Sequence, residues 1–279
     1  MSELRAPGRH GSNLVAYLIL GIGGFLMVFP FLYQLSASFM TNAEVQSIPK
    51  QLFPGELRWE NYVNGINSFP FWDQLRNTAV FSLIRTVSQV LFCSLAGYAF
   101  ARMRFPFKNL IFGVLLSILM IPGELLLISQ YQIVQALGWL NTMAGLVAPG
   151  LVSLFGTFLM RQFFMGLPKE LEEAGRIDGA GPATIFFRIM LPLASPGLSA
   201  LAVVTLIDSW GSFLWPLIVA SQSEKMTLAV GIASFTGEHQ TFYPQIMGVS
   251  LLVMLPMVAL FIALQRRVIA GLAFAGMKG

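Results

Sequence analysis

The chain is 279 residues long, 56% hydrophobic and only 11% charged, with a mean hydropathy of +0.71. Soluble domains carry about 25% charged residues, so this sequence cannot cover a water-exposed surface, and lipid must cover much of it. The net charge of +4 does not point to nucleic acid, because the basic residues are scattered through short inter-helix segments and form no stripe.

A membrane-crossing helix takes about 20 largely apolar residues. In chain order such stretches fall at roughly 14–39, 78–100, 110–131, 143–165, 197–220 and 246–266. They predict an all-α polytopic membrane protein with six transmembrane helices. The first follows Arg5 and Arg9, as a signal peptide would. Its apolar core, Leu14 to Leu35, is too long for a signal h-region of about 7–15 residues, so an uncleaved anchor is expected. Gly21-Ile22-Gly23-Gly24 lies inside this span and reads as helix packing, not phosphate binding. The single cysteine, Cys93, excludes an internal disulfide and reads as a small core residue of the second span.

Orientation follows from the basic residues that flank the spans. With the N-terminus inside, twelve Lys and Arg fall in inside segments and four (Lys50, Arg58, Arg76 and Lys225) outside. Both termini are therefore expected in the cytoplasm. Two outside segments have character. Residues 40–76 mix Trp59, Tyr62, Phe69, Phe71 and Trp72 with Pro49, Pro54 and Pro70, and residues 221–245 form a second external loop. Their aromatic residues suit interfacial anchors or contacts for an external partner.

Ionisable groups within spans are costly and are functional candidates by default. Arg85 in span two, Glu124 in span three and Asp208 in span five are the three. Two readings stay open: a structural salt bridge from Arg85 to Glu124 or Asp208, and a polar translocation pathway. On the second reading Trp210 and Trp215 would stack on the apolar face of a sugar ring while Asp208 accepts hydroxyl hydrogen bonds. On the first they are packing residues. Pro122, Pro149, Pro216 and Pro256 are positioned to kink or interrupt spans.

Between spans four and five lies the longest inside segment, Met165–Gly197. Pro168 suits the first position of a helix, Glu170, Glu172 and Glu173 complement its N-terminal dipole, and Gly179 suits its left-handed close. The signals predict a helix over 168–178 and a second over 182–190 stopped by Pro192. Leu171, Ala174 and Ile177 or Asp178 share one face of the first helix. Ala174 and Gly175 are small enough to admit another surface, with Glu173 beside them to meet a partner's Arg. A solvated hairpin that merely joins two spans is the alternative.

Glu173-Ala174-Gly175, then Gly179, then Ile189, Leu191 and Pro192 reproduce the spacing of the cytoplasmic loop of bacterial ABC importer permeases. The chain resembles the carbohydrate-uptake branch of that family, and is similar to the smaller six-span subunit of maltose-type permeases. Tyr98–Pro106, Phe213–Pro216 and Gln265–Leu272 extend the likeness over nearly the whole chain. Two residues depart from the family pattern: Gly175, usually alanine, and Gly211, commonly asparagine. The first would loosen the helix by roughly 1 kcal/mol; the second removes a polar side chain from the segment around Asp208.

The resemblance implies a type I ABC importer permease fold in a bacterial cytoplasmic membrane, with residues 166–192 as a coupling loop. Glu173, Ala174, Gly175, Asp178 and Gly179 match the positions that dock in an ATP-binding subunit. It further implies a homologous permease partner, two cytoplasmic ATP-binding subunits that carry ATP and Mg, and an extracytoplasmic solute-binding protein. The chain itself has no G-x-x-x-x-G-K-[ST] phosphate loop. Its two histidines, His10 and His239, show no zinc spacing, and no nucleophile–base set suggests an enzyme. The expected solute is a carbohydrate or related polyol. A glycerol-phosphate diester is the alternative, and an ion-coupled secondary transporter working through Asp208 or Glu124 is the rival of another class.

Overall fold

The computed structural model describes residues 10–235 and 241–276, with side chains described for 16–235 and 241–263. Arg5, Arg9, His239 and Lys278 lie outside the described residues, as do the side chains of His10, Arg266 and Arg267. The chain divides into two compact units: Met1–Ser68 with Phe235–Leu252, and Phe69–Ser234 with Val253–Gly279.

The first unit holds α1 (His10–Ser38), α2 (Asn42–Gln46), α3 (Glu60–Asn67) and the first turns of the last helix, Tyr243–Gly276. Ala16–Ser38 is apolar enough to cross a bilayer, and none of its most apolar stretch is buried inside the protein. That face has only lipid or another chain to cover it. Beyond it the segment from Thr41 to Arg58 is tied down by Glu44. Its Oε2 accepts the Thr41 backbone N–H at 2.7 Å while Thr41 Oγ1 accepts the Glu44 N–H at 3.1 Å, a reciprocal capping box. Glu44 Oε1 accepts the Gly55 N–H at 3.0 Å. Asn61 closes the segment by donating to the carbonyls of Ser38 and Met40, both at 2.9 Å. Trp59 packs edge-on and Tyr62 tilted against Phe39, with centroids 4.7 and 5.4 Å from it.

The backbone N–H groups of Thr41 and Gly55 hold the Glu44 carboxyl below the usual carboxylate range. A depressed folded-state pKa contributes stability above the unfolded pKa and loses it as pH falls through the folded value. Hydrogen-exchange protection of residues 41–58, measured relative to the intrinsic rate at each pH, should therefore fall on acidification below about pH 4. Glu44→Gln should be weakly protected at every pH. Equal protection at pH 7 and pH 3, or unaltered protection in Glu44→Gln, would show that Glu44 does not anchor this segment.

The second unit contains α4 (Phe71–Arg102), α5 (Lys108–Ile118), α6 (Leu127–Ala136), α7 (Met143–Val147), α8 (Leu154–Gly166), α9 (Glu170–Ile177), α10 (Pro182–Leu193), α11 (Ser195–Trp210), α12 (Leu214–Val219), α13 (Leu228–Ala233) and the rest of the last helix, α14. Its largest apolar core joins Cys93 and Tyr98 of α4, Met160 and Phe164 of α8, Ile185, Phe186 and Met190 of α10, and Leu201 of α11. Cys93 is wholly buried there, as its apolar setting predicts. The helices approach closely where residues are small, as membrane helices do. A Cβ on Gly97 would lie 2.7 Å from the Cβ of Met160.

Spans one, two and six are continuous: Ala16–Ser38, Phe71–Arg102 and Tyr243–Ala263 are each long and apolar enough to cross a membrane. The other three predicted spans are not single helices. Span three divides at Pro122 into Lys108–Ile118 and Gly123–Ala136, which meet at 93°. Span four divides near Pro149 into Met143–Gly150 and Leu154–Gly166 at 46°, and Ser153 starts the second piece by accepting the Gly156 N–H at 3.1 Å. Proline has no N–H to donate to the preceding turn, which weakens the helical ladder beside both breaks. Predicted span five stops at Trp210, and Gly211–Phe213 separate it from α12. Upstream it meets α10 at 75°. The described residues thus give three to six membrane-crossing helices, six if each bent pair is one span. Pro256, in contrast, sits inside an unbroken α14.

Candidate functional site

The segment between α8 and α11 folds as a helical hairpin. α9 spans Glu170–Ile177, slightly shorter than the predicted helix. Gly179 takes φ +80°, a conformation that favours glycine. The Ala180 N–H reaches Gly175 O at 2.9 Å and the Gly179 N–H reaches Arg176 O at 3.0 Å, the two bonds of a Schellman close. The second helix does not stop before Pro192. Ile185–Met190 form wider π turns, which already leave helical donors unused, and the missing proline N–H is absorbed into α10 up to Leu193.

α9 turns two different faces to two different surroundings. Glu172 and Gly175 are buried, whereas Leu171, Glu173, Ala174, Ile177 and Asp178 are exposed, Ile177 to 86%. Gly175 is therefore not part of an open notch. A Cβ there would lie 2.9 Å from Ile189 Cδ1, so the small residue admits the chain's own α10. This explains the departure from alanine in packing terms: Ile189 fills the space. The outer face keeps Leu171, Ala174 and Ile177 uncovered, flanked by Glu173, whose side chain makes no hydrogen bond or ion pair among the described residues.

A second site lies between α4, the turn after α7, and α11. Arg85 Nη2 stands 3.4 Å from Asp208 Oδ2, and its guanidinium lies over the Phe81 ring at 5.3 Å. Gln89 donates to Gly150 O at 2.8 Å and accepts from Thr205 Oγ1 at 2.9 Å. Arg85, Gln89, Gly150, Ser153, Thr205 and Asp208 help to line a cavity of about 330 Å³. A Cβ on Gly150 would overlap the Arg85 guanidinium. Gly150→Ala should therefore push Arg85 off Asp208 and lower solute-stimulated uptake several-fold, with assembly intact; wild-type uptake would show that this pair is not needed where it stands.

Of the sequence candidates, Arg85 and Asp208 are brought together and Glu124 is not. Glu124 sits exposed in the turn Gly123–Leu126 that breaks span three. Trp210 and Trp215 do not line the cavity. Trp210 donates its indole N–H to Val253 O at 3.0 Å, and Trp215 shares its own between Gly145 O and Leu146 O at 3.2 and 3.1 Å while packing beside Phe81 and Val134. Asp208 and Trp210 are two residues apart, a spacing that puts them on different helix faces. Gln89 and Thr205 complete the polar cluster, and a signal for them exists: Gln89 follows Arg85 by four and Thr205 precedes Asp208 by three, so each pair shares a helix face.

Broken membrane helices around a polar cavity, with an amphipathic hairpin between two of them, define the class: a polytopic transport component of a membrane. The chain belongs to the family of binding-protein-dependent transport system inner membrane components, which it matches over residues 90–272, and is the permease subunit of an ABC importer. It is 36% identical over 272 residues to the sn-glycerol-3-phosphate transport system permease protein UgpE of Pectobacterium atrosepticum, covering 95% of this chain and 97% of that one. It is 37% identical over 258 residues to the arabinooligosaccharides transport system permease protein AraQ of Halalkalibacterium halodurans, covering 91% and 92%. Its fold is shared with a chain of a bacterial ABC transporter involved in import of the acidic polysaccharide alginate, at TM-score 0.82 and 19% identity over 95% of this chain and 99% of that one.

Proposed function

We propose that this permease subunit lies in a bacterial cytoplasmic membrane with both termini inside and carries part of the pathway for a carbohydrate or related polyol. The observation that carries this reading is the outer face of α9. An uncovered apolar stripe on a helix rich in charge fits neither lipid nor water, and suits a protein partner. That partner is an ATP-binding subunit, docked on Glu173, Ala174, Asp178 and the turn at Gly179; Gly175 serves by keeping α9 close to α10. Two such subunits bind ATP and Mg. A homologous permease completes the pathway, and an external solute-binding protein delivers the solute.

Within the pathway Arg85 and Asp208 offer donors and an acceptor side by side, which suits hydroxyl groups. A phosphate needs an uncompensated cation, and Arg85 is already compensated by Asp208 at 3.4 Å. The relationship to a glycerol-phosphate permease keeps that solute as the second reading. Competition on the assembled complex separates them: neutral oligosaccharides or polyols should stimulate ATP hydrolysis with the external binding protein present, and glycerol phosphates should not. Stimulation by glycerol phosphates alone would reverse the choice of solute.

A further inference from the structure

The inner face of α9 carries a charge that the docking reading does not use. Glu172 is the only charged residue buried among the described residues. Its Oε1 lies 3.3 Å from Arg102 Nε, with both side chains 7% exposed, and its Oε2 lies 3.5 Å from Arg176 Nη2. Arg102 ends α4 and is itself fixed. Its Nε and Nη2 donate to Phe164 O at 3.0 and 2.6 Å, and Nη2 also donates to Leu167 O. Phe164 O lies in the last turn of α8 and Leu167 O just beyond it, at a helix end where carbonyls have acceptor capacity to spare. Because the Arg102 Nε–H is spent on Phe164, Glu172 Oε1 is held by charge without a hydrogen bond of its own. One guanidinium therefore ties the ends of α4 and α8 to the buried side of α9.

We propose that Arg102 and Glu172 form the strut through which movement of α9 reaches the membrane helices. The inference rests on the docking of an ATP-binding subunit on α9. Among the described residues, two contacts hold the buried side of α9: the apolar contact of Gly175 with Ile185 and Ile189, and the Arg102–Glu172 pair. The first joins α9 to α10, its neighbour in the hairpin. The second reaches α4 and the end of α8, and these helices line the cavity through Arg85, Gln89 and Phe155. An ion pair excluded from water resists being pulled apart far more than one in water. A push on the outer face is therefore delivered to α4 and α8 as a rigid displacement. Glu172 and Arg102 are positioning residues that touch neither nucleotide nor solute.

The test has two arms on the assembled complex in proteoliposomes. Spin labels at Met103→Cys and Glu170→Cys, both exposed positions, report the distance between the end of α4 and α9; Cys93, wholly buried, takes up no label. In an otherwise native chain the distance should be the same with and without ATP. A distance that changes between the two states would overturn the strut and needs no further variant. Glu172→Gln should keep its ATP-binding subunits and hydrolyse ATP within about twofold of wild type, while solute moved per ATP falls about tenfold and the label distance broadens. Glu172→Asp, which keeps the charge, should recover much of the ratio. A Glu172→Gln complex with an unchanged ratio would overturn the proposal. If no ATP-binding subunit assembles on the native chain, the docking reading itself fails.

Discussion

Glu173→Lys is expected to insert and fold normally and to lose about 99% of ATP-driven uptake. The Glu173 side chain is exposed and makes no contact that stabilises the chain, so its replacement should change stability by less than about 0.5 kcal/mol. Under the proposed docking, its role is at the surface that the ATP-binding subunit covers. Reversing a charge that meets a partner's basic group replaces attraction by repulsion in a site that docking desolvates, at a cost of about 2–5 kcal/mol. The middle of that range is a loss of affinity of two orders of magnitude or more. Titration of purified ATP-binding subunits onto reconstituted permease, read alongside uptake, checks both halves. Normal docking with normal uptake would take Glu173 out of the interface. A misfolded variant would contradict the exposure on which its role depends.

The second large effect concerns the Arg85–Asp208 pair, and its sign is asymmetric. Asp208→Asn removes the counter-charge of a guanidinium whose side chain is only 16% exposed, whereas Arg85→Met leaves a carboxylate that is 69% exposed. Removing one partner of a wholly buried pair costs about 3–5 kcal/mol. The open side of Asp208 screens the pair, so about 1–2 kcal/mol is the expected loss for Asp208→Asn. In a chain of this size that lowers the unfolding midpoint by about 2–8 °C. Arg85→Met should cost less, and the double replacement Arg85→Met with Asp208→Leu should be close to wild type in stability yet transport poorly. Thermal unfolding in detergent orders the three variants. Arg85→Met proving the more damaging single change would show that the carboxylate is the group in need of its partner.

Much of this could be read from the residues, and the exceptions have physical causes. Hydropathy locates apolar stretches but is blind to backbone continuity. Pro122 and Pro149 are visible in the sequence, but the 93° and 46° angles depend on what each half-helix packs against. The sequence leaves Arg85 a choice between Glu124 and Asp208; the break at Pro122 carries Glu124 into an exposed turn, and α11 brings Asp208 in. Trp210 and Trp215 look alike as aromatic residues near Asp208, yet each spends its indole N–H on a backbone carbonyl of the scaffold. In α9 a small residue reads equally well as room for a partner or room for the chain itself. Ala174 is exposed, as the first meaning requires; Ile189 gives Gly175 the second. The adjacent glutamates divide likewise, since consecutive helix positions lie about 100° apart: Glu173 faces out and Glu172 faces Arg102.

In the proposed function, this chain moves its solute with energy that ATP-binding subunits deliver through α9. Uptake into proteoliposomes containing the permease pair, the ATP-binding subunits and the external binding protein tests it most directly. Solute should accumulate only when the ATP-binding subunits and ATP are present, and dissipating every ion gradient should leave the rate unchanged. Accumulation driven by an ion gradient in the absence of ATP-binding subunits would contradict the account.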